Sequence, residues 1–346
     1  MFNNSIRRIG FACKLIDNPS QMESIKPKDD CKKYNTGTTT VAWLNRQSVA
    51  VAEDKLWSIM KDNIESLRLL VGKVGTFEPS LRMVRLSSEV LPVYTEPKWG
   101  YFYKQPDVIA YAERHFAEVG RIARDLDVRL SFHPGQFCVL GSDREEIVNS
   151  SIEEFEYHAD MARFMGFGKE FQDFKINVHI AGRAGAAGVR STYSKLSPEA
   201  RNTITIENEE ISHGLSDCLA LGDLLPIVLD IHHHWVREGE YIETTDPRVQ
   251  RVAATWRGRR PVIHYSVSRE DYLVGHPSNI RPARDALIES GLNKQKLRAH
   301  SDFYHNSAVN EWALSFLESC DMMCESKAKN LASRELYKQA KELGLL

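Results

Sequence analysis

Three consecutive histidines, His232, His233 and His234, follow the carboxylate Asp230 at the end of the apolar run Ile227–Leu229. Such a run reads as a strand buried on both faces. A strand that delivers carboxylate oxygen and imidazole nitrogen at its C-terminal tip suits Zn, Mn or Fe better than Ca or Mg. A histidine run can also be carried by a solvated loop, so the test is whether other strands bring similar residues to one place. Five further segments do. His133 ends the run from Val128, His179 the run from Phe174, and Glu207 the run from Thr203; His264 lies within Val262–Tyr265, and Glu325 follows Asp321–Cys324. A lone histidine at a strand end is more often a satisfied structural residue. Coincidence with six strand ends is harder to explain that way. The set has too many carboxylates for one structural zinc and no thiolate. A cluster of about two or three catalytic divalent ions fits it better, with Glu207 shared between ions and a trapped water made nucleophilic near neutral pH.

The elements that must hold these residues alternate. Strands are expected at Ile6–Cys13 and Leu81–Ser87 and at the six segments above, and helices at Val49–Leu70, Pro106–Leu126, Arg144–Met165 and Pro247–Trp256, with a last one ending near Leu343. A polar loop spans Asp17–Thr36, and a Gly/Ala-rich loop spans Ala181–Gly188. Eight strands separated by helices predict an α/β fold, a (β/α)8 TIM barrel with its active site at the C-terminal rim of the strands. One barrel domain over residues 1–346 accommodates the length.

Composition narrows the function classes. Hydrophobic residues make up 42% and charged residues 27%, and the formal net charge is −2. This is an ordinary globular chain whose contact with nucleic acid must use local patches. Lys98, Trp99, Tyr101, Tyr103 and Lys104 interleave aromatics with cations, as base stacking and phosphate binding require, or they fold back on themselves. Arg183 and Arg190 flank the glycine-rich loop after the fourth strand. Arg248, Arg251, Arg257, Arg259 and Arg260 precede the seventh strand and read as a solvated helix end. Six scattered cysteines without a CxxC pair imply reduced thiols and a cytoplasmic setting. There is no signal-peptide pattern at the start and no run of membrane-spanning length. Metal-dependent barrels of this type serve phosphodiester hydrolysis or sugar isomerisation.

The motifs His133-Pro134-Gly135-Gln136-Phe137, Ile206-Glu207-Asn208, Leu229-Asp230 with His232-His233, and Glu325-Ser326-Lys327 resemble the UV damage endonuclease family. Ile9-Gly10-Phe11-Ala12-Cys13, Arg85-Leu86-Ser87-Ser88 and Ala299-His300-Ser301-Asp302 extend the resemblance, in the family's order, over roughly residues 6–330. The resemblance implies a metal-dependent DNA repair endonuclease that acts on double-stranded DNA carrying UV lesions. It would nick immediately 5′ of photoproducts and leave 3′-hydroxyl and 5′-phosphate ends. Mn is the implied metal, with Zn, Mg or Co as alternatives. The implied ligands are His133, His179, Glu207, Asp230, His233, His264, His300 and Glu325, of which His300 comes from the resemblance alone. Gln136 and Phe137 match a pair that wedges into the duplex opposite the damage, where poorly stacked bases are cheaper to extrude.

The sequence departs from the family pattern at several positions. Val262 stands where a modified lysine is common, Glu96 where a histidine follows the second strand, and Leu15 where an asparagine is usual. An insertion near residues 270–296 carries an unmatched His276. A spacing of three between Asp230 and His233 requires the chain to turn near Ile231, leaving His232 and His234 as supports. A monomer acting at the nucleoid or in the nucleus is the expected form. A sugar isomerase or epimerase and a non-catalytic lesion-binding homologue are the alternatives.

Overall fold

The computed structural model describes residues 3–17 and 31–346; residues 18–30, the centre of the Asp17–Thr36 loop, lie outside the described residues. The eight expected strands are present: β1 (Ile9–Ala12), β2 (Met83–Arg85), β3 (Arg129–Phe132), β4 (Lys175–His179), β5 (Ile204–Glu207), β6 (Ile227–Val228), β7 (Val262–Tyr265) and β8 (Asp321–Cys324). Every paired neighbour is parallel, in the order β6-β5-β4-β3-β2-β1-β8-β7. The His264 amide closes the ring by donating to the Leu229 carbonyl at 3.1 Å, beside a parallel bridge between Asp230 and His264. The fold is a (β/α)8 barrel.

Parallel neighbours need long crossovers, and helices supply them. The principal helices are α1 (Val49–Gly75), α2 (Pro106–Asp125), α3 (Glu145–Phe164), α4 (Gly185–Tyr193), α5 (Ile231–Glu238), α6 (Pro247–Thr255), α7 (Ser307–Ser315) and α8 (Lys329–Glu342). Their starts are written in the sequence. The Ser48 side chain accepts from the Val51 amide, Pro106 opens α2, and Asp246 caps α6 ahead of Pro247. Two differ from expectation. The loop at Ala181–Gly188 gives way to α4 from Gly185, and the histidine run is a helix rather than a strand end. Among the described residues no helix is long and apolar enough to cross a membrane.

The barrel interior is layered. At the N-terminal end Asp321 accepts from the Arg8 amide at 2.9 Å, Arg260 Nε at 2.8 Å and Arg129 Nη1 at 2.7 Å. Above this floor Ala12, Met83, Val228, Val262 and Met323 pack with Trp256 in an apolar layer. Gly10 is required here, since a Cβ would lie 2.8 Å from the Met83 carbonyl oxygen. The third layer, at the C-terminal mouth, is polar.

Candidate metal centre

Side chains alternate along a strand, so residues two apart share a face. On β4 that face carries Lys175, Asn177 and His179, and the parallel register sets His179 beside Glu207 at the end of β5. The result is a bowl in which three overlapping sets of ligand atoms each fall within 4.8 Å: His133 with Glu207 and His264, His179 with Glu207 and His233, and Glu207 with Asp230, His264 and Glu325. Glu207 belongs to all three. His133 Nε2 lies 3.3 Å from its Oε2 and His264 Nδ1 3.1 Å from its Oε1. The eighth expected ligand, His300, sits at the edge, its ring 6.5 Å from that of His233 and its Nδ1 2.9 Å from the Glu325 carbonyl.

The turn expected after Asp230 is a helix start. The Asp230 carboxylate accepts from the His233 amide at 2.7 Å as the N-cap of α5, which carries His233 back over the rim. Asn208 holds the same corner, accepting from the Asp230 amide at 2.9 Å and donating to its carbonyl at 3.0 Å. His232 and His234 face away. His232 Nε2 lies 3.2 Å from the Leu297 carbonyl and His234 Nε2 2.8 Å from Glu240.

Burial would raise Glu207, but the facing His264 and His179 hold its carboxyl well below the usual range. Glu325 is likewise held low against burial by Arg85, with which it is ion-paired, and by His264. Asp230 is pushed well above the ordinary aspartate value by burial. Burial lowers His179 and His264 to about 4, which keeps both imidazoles neutral. His233 goes the other way, to about 9: Asp230 and Glu207 outweigh its burial. The buried Asp230 Oδ2 has no hydrogen-bond partner. The neutral imidazoles of His179 and His264 and the ionised Glu207 and Glu325 are what a divalent cation requires, and a cation beside Asp230 and His233 would take the place of the protons held there, so these residues fit a metal.

Several contributors lay outside the strand-end reading. Asn177 donates to Glu207, and Arg85 grips Glu325. Lys175, lowered to about 7 by burial, reaches across the barrel to place Nζ 3.0 Å from His264 Nε2. Two-residue periodicity counted back from His179 would have found Lys175 and Asn177. Val262 is in the apolar layer below His264 and offers no ligand atom. Glu96 accepts from the amides of Lys98 and Trp99 at 2.9 and 2.8 Å, which makes it a loop cap. Leu15 is buried in the main core. His276 lies in the β7–β8 connection with Nε2 2.9 Å from the Ile280 carbonyl.

The expected DNA-contacting residues divide. Gln136 is exposed and Phe137 is 84% exposed, on a turn directly after β3. Trp99 and Tyr103 are buried, with Trp99 Nε1 donating to Asn45 and the Tyr103 hydroxyl to the Pro92 carbonyl, so neither can stack on a base. Tyr101 is partly exposed but tied to Glu53, and Lys98 donates to Asn45. Arg190 is spent in a two-pronged pair with Asp223. Lys104 and Arg183 remain at the surface, Arg183 3.6 Å from Asp143.

The chain is similar to several known proteins. The family profile described as UV-endonuclease UvdE matches residues 7–344. A UV-damage endonuclease of Neurospora crassa is 34% identical over 204 residues, covering 54% of this chain and 30% of that protein. The UV-damage endonuclease of Schizosaccharomyces pombe is 26% identical, covering 96% of this chain and 50% of that protein. The chain thus spans half or less of these fungal relatives. It spans 90% of the UV DNA damage endonuclease of Bacillus thuringiensis, at 25% identity over 90% of its own length. The crystal structure of SacUVDE has the same fold, with a TM-score of 0.71 and 24% identity over 98% of this chain and 100% of that one.

Proposed function

The chain belongs to the UV-endonuclease UvdE family, and we propose that it is a metal-dependent DNA repair endonuclease. It nicks the damaged strand of duplex DNA immediately 5′ of pyrimidine dimers and 6-4 products, leaving 3′-hydroxyl and 5′-phosphate ends. The observation that carries this reading is Glu207, common to three sets of ligand atoms at the barrel mouth, with Gln136 and Phe137 exposed beside them. When bound, divalent ions, Mn foremost, supply charge neutralisation for the phosphate and activation of water.

The chain's own groups have definable tasks. Glu207 ties the three sets together. Arg85 keeps Glu325 ionised, and the Asp230 cap fixes the orientation of His233. Phe137 offers a stacking face to the duplex where damage has weakened base stacking, and Gln136 offers an amide to the exposed base edge. Lys104, and Arg183 by leaving its exposed pair with Asp143, approach backbone phosphates.

The test is an end-labelled duplex carrying one photoproduct, incubated with Mn or with a chelator. The wild-type protein cuts at the phosphate 5′ of the lesion only with metal, and Glu207→Gln loses the cut while keeping its helical circular dichroism. Undiminished nicking by that variant overturns the assignment. Metal-independent binding without cleavage would identify a lesion-binding protein instead.

A further inference from the structure

Two large apolar side chains stand out among the described residues by exposure, Phe137 at 84% and Val274 at 88%. Phe137 follows β3 and Val274 follows β7, strands on opposite sides of the eight-stranded ring. Both sit at the tip of a four-residue turn closed by one backbone hydrogen bond, Cys138 N to Gly135 O at 3.0 Å and His276 N to Leu273 O at 2.9 Å. In the second turn Gly275 takes φ +78°, the conformation a type II turn demands at its third position.

The Val274 turn is built to hold its shape. Leu273 is half-buried and lines a cavity together with Trp235, Tyr241 and Trp312, while His276 is tied to the Ile280 carbonyl. The turn overhangs a groove of about 590 Å³ that also touches Ser301 and Lys327, neighbours of His300 and Glu325 at the rim of the bowl. The two cations in the groove are already paired, Arg269 with Asp271 at 2.7 Å and Lys327 with Asp302 at 3.8 Å, and Glu270 adds a negative charge. Nothing there draws a phosphate. A hydrogen-bonded turn that leaves a valine in water beside the bowl, opposite an exposed phenylalanine, is suited to an apolar contact with bases.

We propose that Val274 is a second duplex-probing tip, a specificity-determining residue that presses on a base step across the bowl from Phe137. This rests on the endonuclease reading above. A duplex spanning the mouth is then wedged at two points, and only DNA already weakened in stacking accommodates both.

Val274→Ser keeps the turn and removes the apolar contact. On a photoproduct duplex it should lower kcat/KM about tenfold, the size expected for withdrawing one valine from an apolar contact. It should also abolish the fluorescence rise of 2-aminopurine at one flanking position, whereas Phe137→Ala abolishes it at another. Val274→Leu should keep both properties. If the wild-type protein nicks and Val274→Ser matches it in rate and fluorescence, or Val274→Leu fails like the serine variant, the proposal is overturned alone. If the wild-type protein neither binds nor nicks the lesion duplex, the endonuclease reading fails and this proposal with it.

Discussion

The barrel holds a cluster of buried charge at each end, and the two are built on opposite terms. On the floor, both oxygens of Asp321 are engaged by donors from Arg8, Arg129 and Arg260, and Arg129 and Arg260 spend further donors on the carbonyls of Arg260 and Cys320. At the mouth, Glu207, Asp230 and Glu325 crowd one another among histidines, and Asp230 Oδ2 accepts no hydrogen bond, its nearest cation being His233 Nδ1 at 3.7 Å. A buried ionic network whose carboxylate oxygens are all engaged by its own donors serves the fold. One that keeps carboxylate oxygens in surplus fits a cation from outside. Burial alone separates neither; the count of donors against acceptors does.

The largest expected effect tests the floor. Asp321→Ala strands the Arg8, Arg129 and Arg260 groups that converge on it and should cost about 3–5 kcal/mol in urea unfolding. Glu207→Gln in chelator should cost much less. Equal losses would mean that the mouth is as structural as the floor.

Metal should then separate the two ends. Saturating Mn should stabilise the wild-type protein by roughly 2.7 kcal/mol at a hundredfold excess over Kd, and Glu207→Gln hardly at all, as read from thermal unfolding. The gain should shrink with acid, because protons compete for the same imidazoles. The metal-free protein shares that direction. His179 and His264 have folded values near 4 against an ordinary 6.5, so the unfolded chain binds more protons between those values. Stability from this pair is present above pH 6.5 and is lost as pH falls toward 4. A metal increment that stays constant as pH falls from about 5 through 4, where the folded imidazoles take up protons, would exclude these histidines as ligands.

Much of this was legible before the fold was known, and the failures have definite causes. Strand ends could be found because buried parallel strands are short apolar runs, and a charged residue at the end of one is conspicuous. Lys175 was hidden because it opens β4 rather than ending it. Trp99 and Tyr103 suggested a stacking platform by composition, but their partners, Asn45 and Pro92, come from outside the loop. Three histidines in a row concealed a helix whose start is set by Asp230, an N-cap that doubles as a candidate ligand.

The smallest expected effect probes the link between the mouth and the layer beneath it. Lys175 Nζ is 3.0 Å from His264 Nε2, and the other ring nitrogen faces Glu207 at 3.1 Å and Glu325 at 3.3 Å. The lysine therefore fixes which edge of the imidazole looks into the bowl, as outer partners of ligating histidines do. Lys175→Met keeps the length of the side chain and removes this contact. Mn affinity, measured by calorimetry, should fall about tenfold, at the low end for such a partner. In a His264→Ala background the same substitution should have no further effect, because the group it orients is gone. An equal loss in both backgrounds would place Lys175 with the supporting core and move the boundary between the two ends up to His264 itself.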